Sequence, residues 1–148
     1  MLKVKSLKEL KKIIISLKLK GKKIVLCHGV FDLIHLGHIK YFNAAKKHGD
    51  ILVVSITVDK FVNKGIGRPF FNHNDRAKVL AALDIIDYVT FSEKASSLDI
   101  IKNIKPNFYA KGIEYKEIKN DSTKKIISEI KEVKKNKGKI IYIDEKVF

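Results

Sequence analysis

The chain has 148 residues, 45% of them hydrophobic, with 31 Lys and Arg against 16 Asp and Glu and a single cysteine. That length fits one domain with one core. No run approaches the ~18–20 continuous apolar residues of a membrane helix, and one cysteine excludes an internal disulfide, which makes the cytoplasm the expected location.

Residues 6–9, Ser-Leu-Lys-Glu, have the form of a capping box, and Leu7, Leu10, Ile13, Ile14 and Leu17 follow at helical spacing up to a stop at Gly21. The first strand is predicted over 23–27. Helical periodicity resumes at Leu36 and runs through Ile39, Phe42 and Ala45 to Gly49. An apolar run over 51–57 predicts a strand buried on both faces, with a short helix over 58–63. Two glycines and a proline make 64–71 a loop. Asn72 reads as an N-cap with Asp75 at the third helical position, and Val79, Leu80 and Leu83 as the buried stripe. A strand over 87–91, a helix over 97–104 stopped by Pro106, and a strand over 107–110 come next. A charged helix over 121–137, ended by Gly138, and a strand over 139–143 complete the pattern. Strands alternating with helices predict an α/β fold: a Rossmann-like, doubly wound, five-stranded parallel sheet with helices on both faces.

In such sheets ligands bind beyond the carboxyl ends of the strands. The first strand opens there into 28–38, His-Gly-Val-Phe-Asp-Leu-Ile-His-Leu-Gly-His. His35 and His38, three apart at a helix start, share one face of its first turn, where unpaired N–H groups and the helix dipole attract phosphate. The fourth strand delivers Lys111, Gly112 and Glu114 to the same edge. Arg68 and Arg76, the only arginines, bracket the loop at 68–76 and offer planar forks suited to phosphate oxygens or to salt bridges. A His-x-x-His pair can also hold zinc, with Cys27, His28 and Asp32 nearby, but no second Cys/His cluster completes a ligand set, so no protein metal ligand is assigned. His28 reads equally as a functional residue or as a structural one that only faces the pocket rim. His48 and His73 read as surface residues, Cys27 as core, and Lys94 as a solvated lysine within reach of an acceptor phosphate.

The formal charge of +15 suggests a polyanion. Yet all but two of the basic residues are lysines, spread along an Ile- and Asn-rich chain without interleaved aromatics. This is a compositional bias and not a nucleic-acid platform.

Residues 29–38 match the pattern G-x-F-D-x-x-H-x-G-H and resemble the signature of the cytidylyltransferase-like nucleotidyltransferases. The likeness continues through Gly49-Asp50, Arg68-Pro69, the Asp75-Arg76 helix, Ile86-Asp87, Pro106 and Lys111-Gly112. It is greatest to adenylyltransferase domains acting on heptose phosphates, and next to glycerol-3-phosphate cytidylyltransferases. The resemblance implies attack of a sugar or polyol phosphate on the α-phosphorus of a nucleoside triphosphate, ATP in the first case and CTP in the second, with release of pyrophosphate. It implies that His35, His38 and Arg76 grip the triphosphate, and that Gly37 keeps bulk away. Gly29, Val30 and Phe31 then offer backbone groups, and Lys64 and Arg68 cover the tail from a loop. Lys111, Gly112 and Glu114 lie near base and ribose, and Asp32 orients the turn on the substrate side. Mg²⁺ is expected with the triphosphate, and homodimers are common among such chains. Relatives carry a Ser/Thr-rich motif after the last strand. The residues given stop at 144–148 without it, so the expectation is one nucleotidyltransferase domain over 1–148 lacking that motif. A nucleotide-binding module without turnover is the alternative of another class.

Overall fold

The computed structural model describes residues 3–62, 65–116 and 125–144. Five strands, β1 (Ile24–Gly29), β2 (Ile51–Thr57), β3 (Tyr88–Ser92), β4 (Phe108–Gly112) and β5 (Lys139–Ile143), form one sheet in the order β3-β2-β1-β4-β5. Every pairing is parallel. The helices are α1 (Leu7–Leu19), α2 (Leu36–Lys46), α3 (His73–Ala81), α4 (Leu98–Ile104) and α5 (Lys125–Lys135).

Strand alternation sorts the core into two layers. Ile24 and Leu26 of β1, Val53 of β2 and Tyr109 of β4 pack under Leu10 and Ile14 of α1, Ile100, Ile101 and Ile104 of α4, and Val133 of α5. Val25, Cys27, Leu52, Val54 and Ile56 face the other way, against Phe42 and Ala45 of α2 and Ala77, Leu80 and Ala81 of α3. The predicted capping box is present: Glu9 N donates to Ser6 Oγ and Ser6 N to the Glu9 carboxylate. At the amino edge, side-chain oxygens take backbone amides at the strand starts: Asp50 that of Lys23, Asp87 that of Leu52 and Asn107 that of Ile24.

Three expectations change. β1 and β4 run on to Gly29 and Gly112, so His28 and Lys111 are strand residues at the carboxyl edge. The helix predicted over 58–63 is a single 3-10 turn, Asp59–Phe61, with 63 and 64 outside the described residues. In α3 the buried stripe is Arg76, Ala77, Leu80 and Ala81, while Val79 is 51% exposed. The stripe is turned by about one residue because an arginine and two alanines fill it, and none of these registers as a hydrophobic anchor. The predicted start of the last helix falls outside the described residues, which begin it at Lys125.

Candidate active site

The carboxyl ends of β1 and β4 flank the switch point of the sheet, where the strand order reverses. The β1–α2 loop leaves it through Phe31 (φ +50°) and Leu33 (φ +72°), two left-handed side-chain-bearing residues within three positions. Such a backbone persists only where its surroundings hold it. Gly29 makes room for this: a Cβ there would lie 2.9 Å from the Phe31 ring.

His35 is the N-cap of α2. Its Nδ1 accepts Gly37 N–H at 3.0 Å, and the Nδ1 of His38 accepts His35 N–H at 3.1 Å, a capping box built from two imidazoles. The rings lie 4.0 Å apart at 35°, and His38 meets Phe31 edge-on at 5.6 Å. An accepting Nδ1 carries no proton, so in each neutral ring the N–H sits at Nε2. Three amides at this helix mouth are taken: Gly37 N by His35 Nδ1, and His38 N and Ile39 N by His35 O. The two imidazole Nε2–H groups add side-chain donors at this helix mouth.

Asp32 is buried. Its carboxylate accepts Phe70 N–H at 2.5 Å, Phe71 N–H at 3.1 Å and Arg68 Nε at 3.0 Å. Burial raises its pKa, but these donors outweigh it and hold the carboxyl below its usual range. Asp32 thus orients the turn by fastening the loop at 68–71 across it. Arg68, besides that bond, stacks its guanidinium 4.5 Å from the Phe70 ring.

Arg76 departs furthest from expectation. It is 2% exposed. Its guanidinium donates to Phe71 O, Val30 O, Thr57 O and Asp59 Oδ1 at 2.7–2.9 Å. With four of its five N–H donors on internal acceptors it is a strut joining four segments. His73, read as a surface residue, accepts Asp59 N–H at 3.2 Å and so supports the same turn. A cavity of about 230 Å³ opens beside these groups, lined by Phe31, Leu33, Ile34, Phe71, Asp75, Arg76 and Val79.

On the other side of the switch point, His28 bonds Ser55 Oγ through Nδ1 at 2.8 Å. Burial lowers its pKa from 6.5 to about 4 against the opposing pull of the Glu129 carboxylate. Lys111 Nζ lies 3.6 Å from that carboxylate and 5.3 Å from the Tyr109 ring centroid. Glu129 itself, on α5, is 3% exposed. It accepts Ser96 Oγ at 3.0 Å, Ser97 N–H at 3.1 Å and Tyr109 OH at 3.1 Å. Burial pushes its carboxyl up, and Lys111 and the serine donors bring it below its ordinary value.

Val30 lines the loop and Gly37 is buried in the first turn of α2. Gly112 ends β4, and Glu114 sits in the 3-10 turn Ile113–Lys116 that follows. Lys64 lies outside the described residues. Lys94 is exposed and paired with Asp99 at 3.1 Å, as a solvated lysine would be. Cys27 is buried, and burial pushes its thiol up to about 12, far from a nucleophile's range. Among the described residues no group of three or more His, Cys, Asp and Glu is placed to hold a metal ion. Around the histidine pair, Cys27 is in the core, Asp32 is engaged by the loop and His28 by Ser55. Glu129, Asp59 and the Ser96-Ser97 pair were not singled out from sequence. Glu129 had a signal: it stands three residues after Ile126 and four before Val133, on the apolar stripe of its helix.

The cytidylyltransferase-like family model matches residues 26–146. The chain is 40% identical over 138 residues to the bifunctional protein HldE of Aliarcobacter butzleri, covering 92% of this chain and 29% of that protein. It is 44% identical over 115 residues to HldE of Geobacter metallireducens, covering 76% and 24%. It thus spans under a third of these curated relatives. Among solved structures, the lipopolysaccharide core biosynthesis protein from Thermoplasma volcanium superposes with a TM-score of 0.69 at 28% identity, covering 85% of this chain and 99% of that one. Pantoate-beta-alanine ligase from Francisella tularensis (TM-score 0.64, 20% identity, 95% and 66% covered) shares the fold. No described helix is long and apolar enough to cross a membrane.

Proposed function

The chain belongs to the cytidylyltransferase-like family and is a nucleotidyltransferase domain; from that premise we propose that it transfers the nucleoside monophosphate of ATP to a sugar phosphate such as a heptose 1-phosphate, releasing pyrophosphate. The observation that carries this reading is the histidine capping box. Two imidazoles fixed 4.0 Å apart, each with its proton on Nε2, present a pair of preset donors at the sheet switch point.

Phosphoryl and nucleotidyl transfer ask the protein chiefly for alignment and charge stabilisation. The acceptor phosphate oxygen attacks the α-phosphorus in line, the bond to the bridging oxygen breaks, and pyrophosphate leaves. His35 and His38 donate through Nε2 to non-bridging phosphate oxygens, where negative charge grows in the transition state. Asp32 and Arg76 keep the surrounding loops in place, and Lys64 and Arg68 belong to the segment that covers the phosphate tail. Lys111, with Glu114 beyond it, lies towards base and ribose. Mg²⁺ brought by the triphosphate would supply charge neutralisation at the phosphates, with no ligand assigned to it from this chain.

ATP is the first choice because the greatest likeness, at Arg68-Pro69 and Lys111-Gly112, is to the heptose-phosphate branch. The likeness to the lipopolysaccharide core biosynthesis protein of Thermoplasma volcanium supports a place in surface-glycan synthesis. Membership of the cytidylyltransferase-like family supports a second reading with CTP as the nucleotide, for which a glycerol 3-phosphate-like acceptor is the counterpart.

Pyrophosphate release measured with ATP and CTP, each against heptose 1-phosphate and glycerol 3-phosphate, separates these. ATP with the heptose phosphate is expected to be fastest. The CTP and glycerol 3-phosphate pair being fastest installs the second reading. Nucleotide binding without pyrophosphate from any pair leaves a binding module and overturns both.

A further inference from the structure

A site that handles polyanions gains nothing from a buried carboxylate beside it, and this chain is otherwise strongly basic. Glu129 stands against that trend. Its burial removes it from water, a cost recovered only where several donors converge. Four do so, from two parts of the chain: Ser96 Oγ and Ser97 N–H at the opening of α4, and Tyr109 OH and Lys111 Nζ on β4. Tyr109 and Lys111 are two apart on a strand and share a face, the one covered by α5. The last recorded β1–β4 pair is Leu26 with Tyr109; two residues further on, His28 and Lys111 reach the switch point together. A lysine at a strand end ordinarily runs out to solvent. The Lys111 side chain is only 16% exposed, drawn back over the Tyr109 ring towards Glu129.

We propose that Glu129 is a positioning residue for nucleotide binding: it holds the Lys111 ammonium at the carboxyl edge of β4, where that ammonium donates to the bound nucleotide. The Ser96, Ser97 and Tyr109 bonds fix the carboxylate, and the carboxylate fixes the lysine. This assignment rests on the nucleotidyltransferase reading above.

The sign of one substitution separates positioning from bulk electrostatics. Glu129→Gln keeps an acceptor for the serines and Tyr109 but removes the charge that orders Lys111. If Glu129 were only a negative charge near a polyanion site, removing it would leave the KM for ATP unchanged or lower it. Positioning predicts the opposite, a KM raised about tenfold with a much smaller effect on kcat. Lys111→Met should raise KM to a similar extent, and the double variant should match Lys111→Met within about twofold, because two members of one interaction are not lost twice. If Glu129→Gln does not fold, Glu129→Asp, with the charge withdrawn by one methylene, carries the same comparison. A KM unchanged or lowered by loss of the charge, or losses that multiply in the double variant, would overturn the assignment alone. A wild-type protein that turns over no nucleoside triphosphate would instead overturn the functional reading and this assignment with it.

Discussion

At the scale of single residues, the two histidines do two jobs with one ring each. Nδ1 closes the first turn of α2 and Nε2 carries the donor. The two roles can be separated by substitution. Asparagine is among the best N-cap residues, so His35→Asn should keep the helix start and the thermal midpoint close to wild type while losing the Nε2 donor. Turnover should then fall about 100-fold, the usual effect of deleting one preset donor to a developing oxyanion. Parallel kcat and melting measurements check this; a variant that folds and turns over normally would remove His35 from the chemistry. The same accounting explains why Asp32, although inside the signature, contributes by position. Its carboxylate accepts from Phe70, Phe71 and Arg68.

Between elements, the decisive group is Arg76. Its guanidinium joins the loop after β1 through Val30, the end of β2 through Thr57, the 3-10 turn through Asp59 and the loop before α3 through Phe71. Parallel strands are connected by long crossovers, so their carboxyl-end loops have no hairpin to hold them together. A buried side chain with fixed planar donors does so here. Lysine has the charge but not the fork, and would leave a buried ammonium with carbonyls it cannot reach simultaneously. Arg76→Lys should therefore cost about 3 kcal/mol in urea-unfolding titrations, and reduce activity through loop displacement. A loss of activity with undiminished stability would return Arg76 to direct phosphate binding.

For the molecule as a whole, stability against pH reports the buried network at the switch point. The His28 imidazole titrates near 6.5 in the unfolded chain and about 4 in the fold, first because of burial and despite the Glu129 charge. Between those values the unfolded chain binds a proton that the folded one refuses. Stability therefore rises with pH across this window and falls on acidification through it. The carboxylates of Asp32 and Glu129, lowered in the fold, act further down: their contribution is present above the ordinary carboxylate pKa of about 4 and is lost as pH drops through their folded values. Urea midpoints compared at about pH 7 and pH 5 should fall in the wild type and fall less in His28→Gln. Equal losses in both would show that His28 does not carry the effect.

What the amino-acid order determined alone is what short range can write. Apolar runs bounded by turn residues placed the five strands and helical spacing the five α-helices of the described residues, the Ser6 and Asn72 caps are decided within one turn, and the histidine spacing marked the candidate site because i and i+3 meet on any helix. What only the tertiary structure decided is the occupation of the side chains that span distance. Arg76 reaches back 46 residues to Val30, Asp32 forward to Phe71, and Glu129 back to Ser97. None of these partners is set by local spacing, because folding brings them together only after the sheet has formed. A charged residue bound for the interior reads, along the chain, like one bound for water until the elements that surround it are in place.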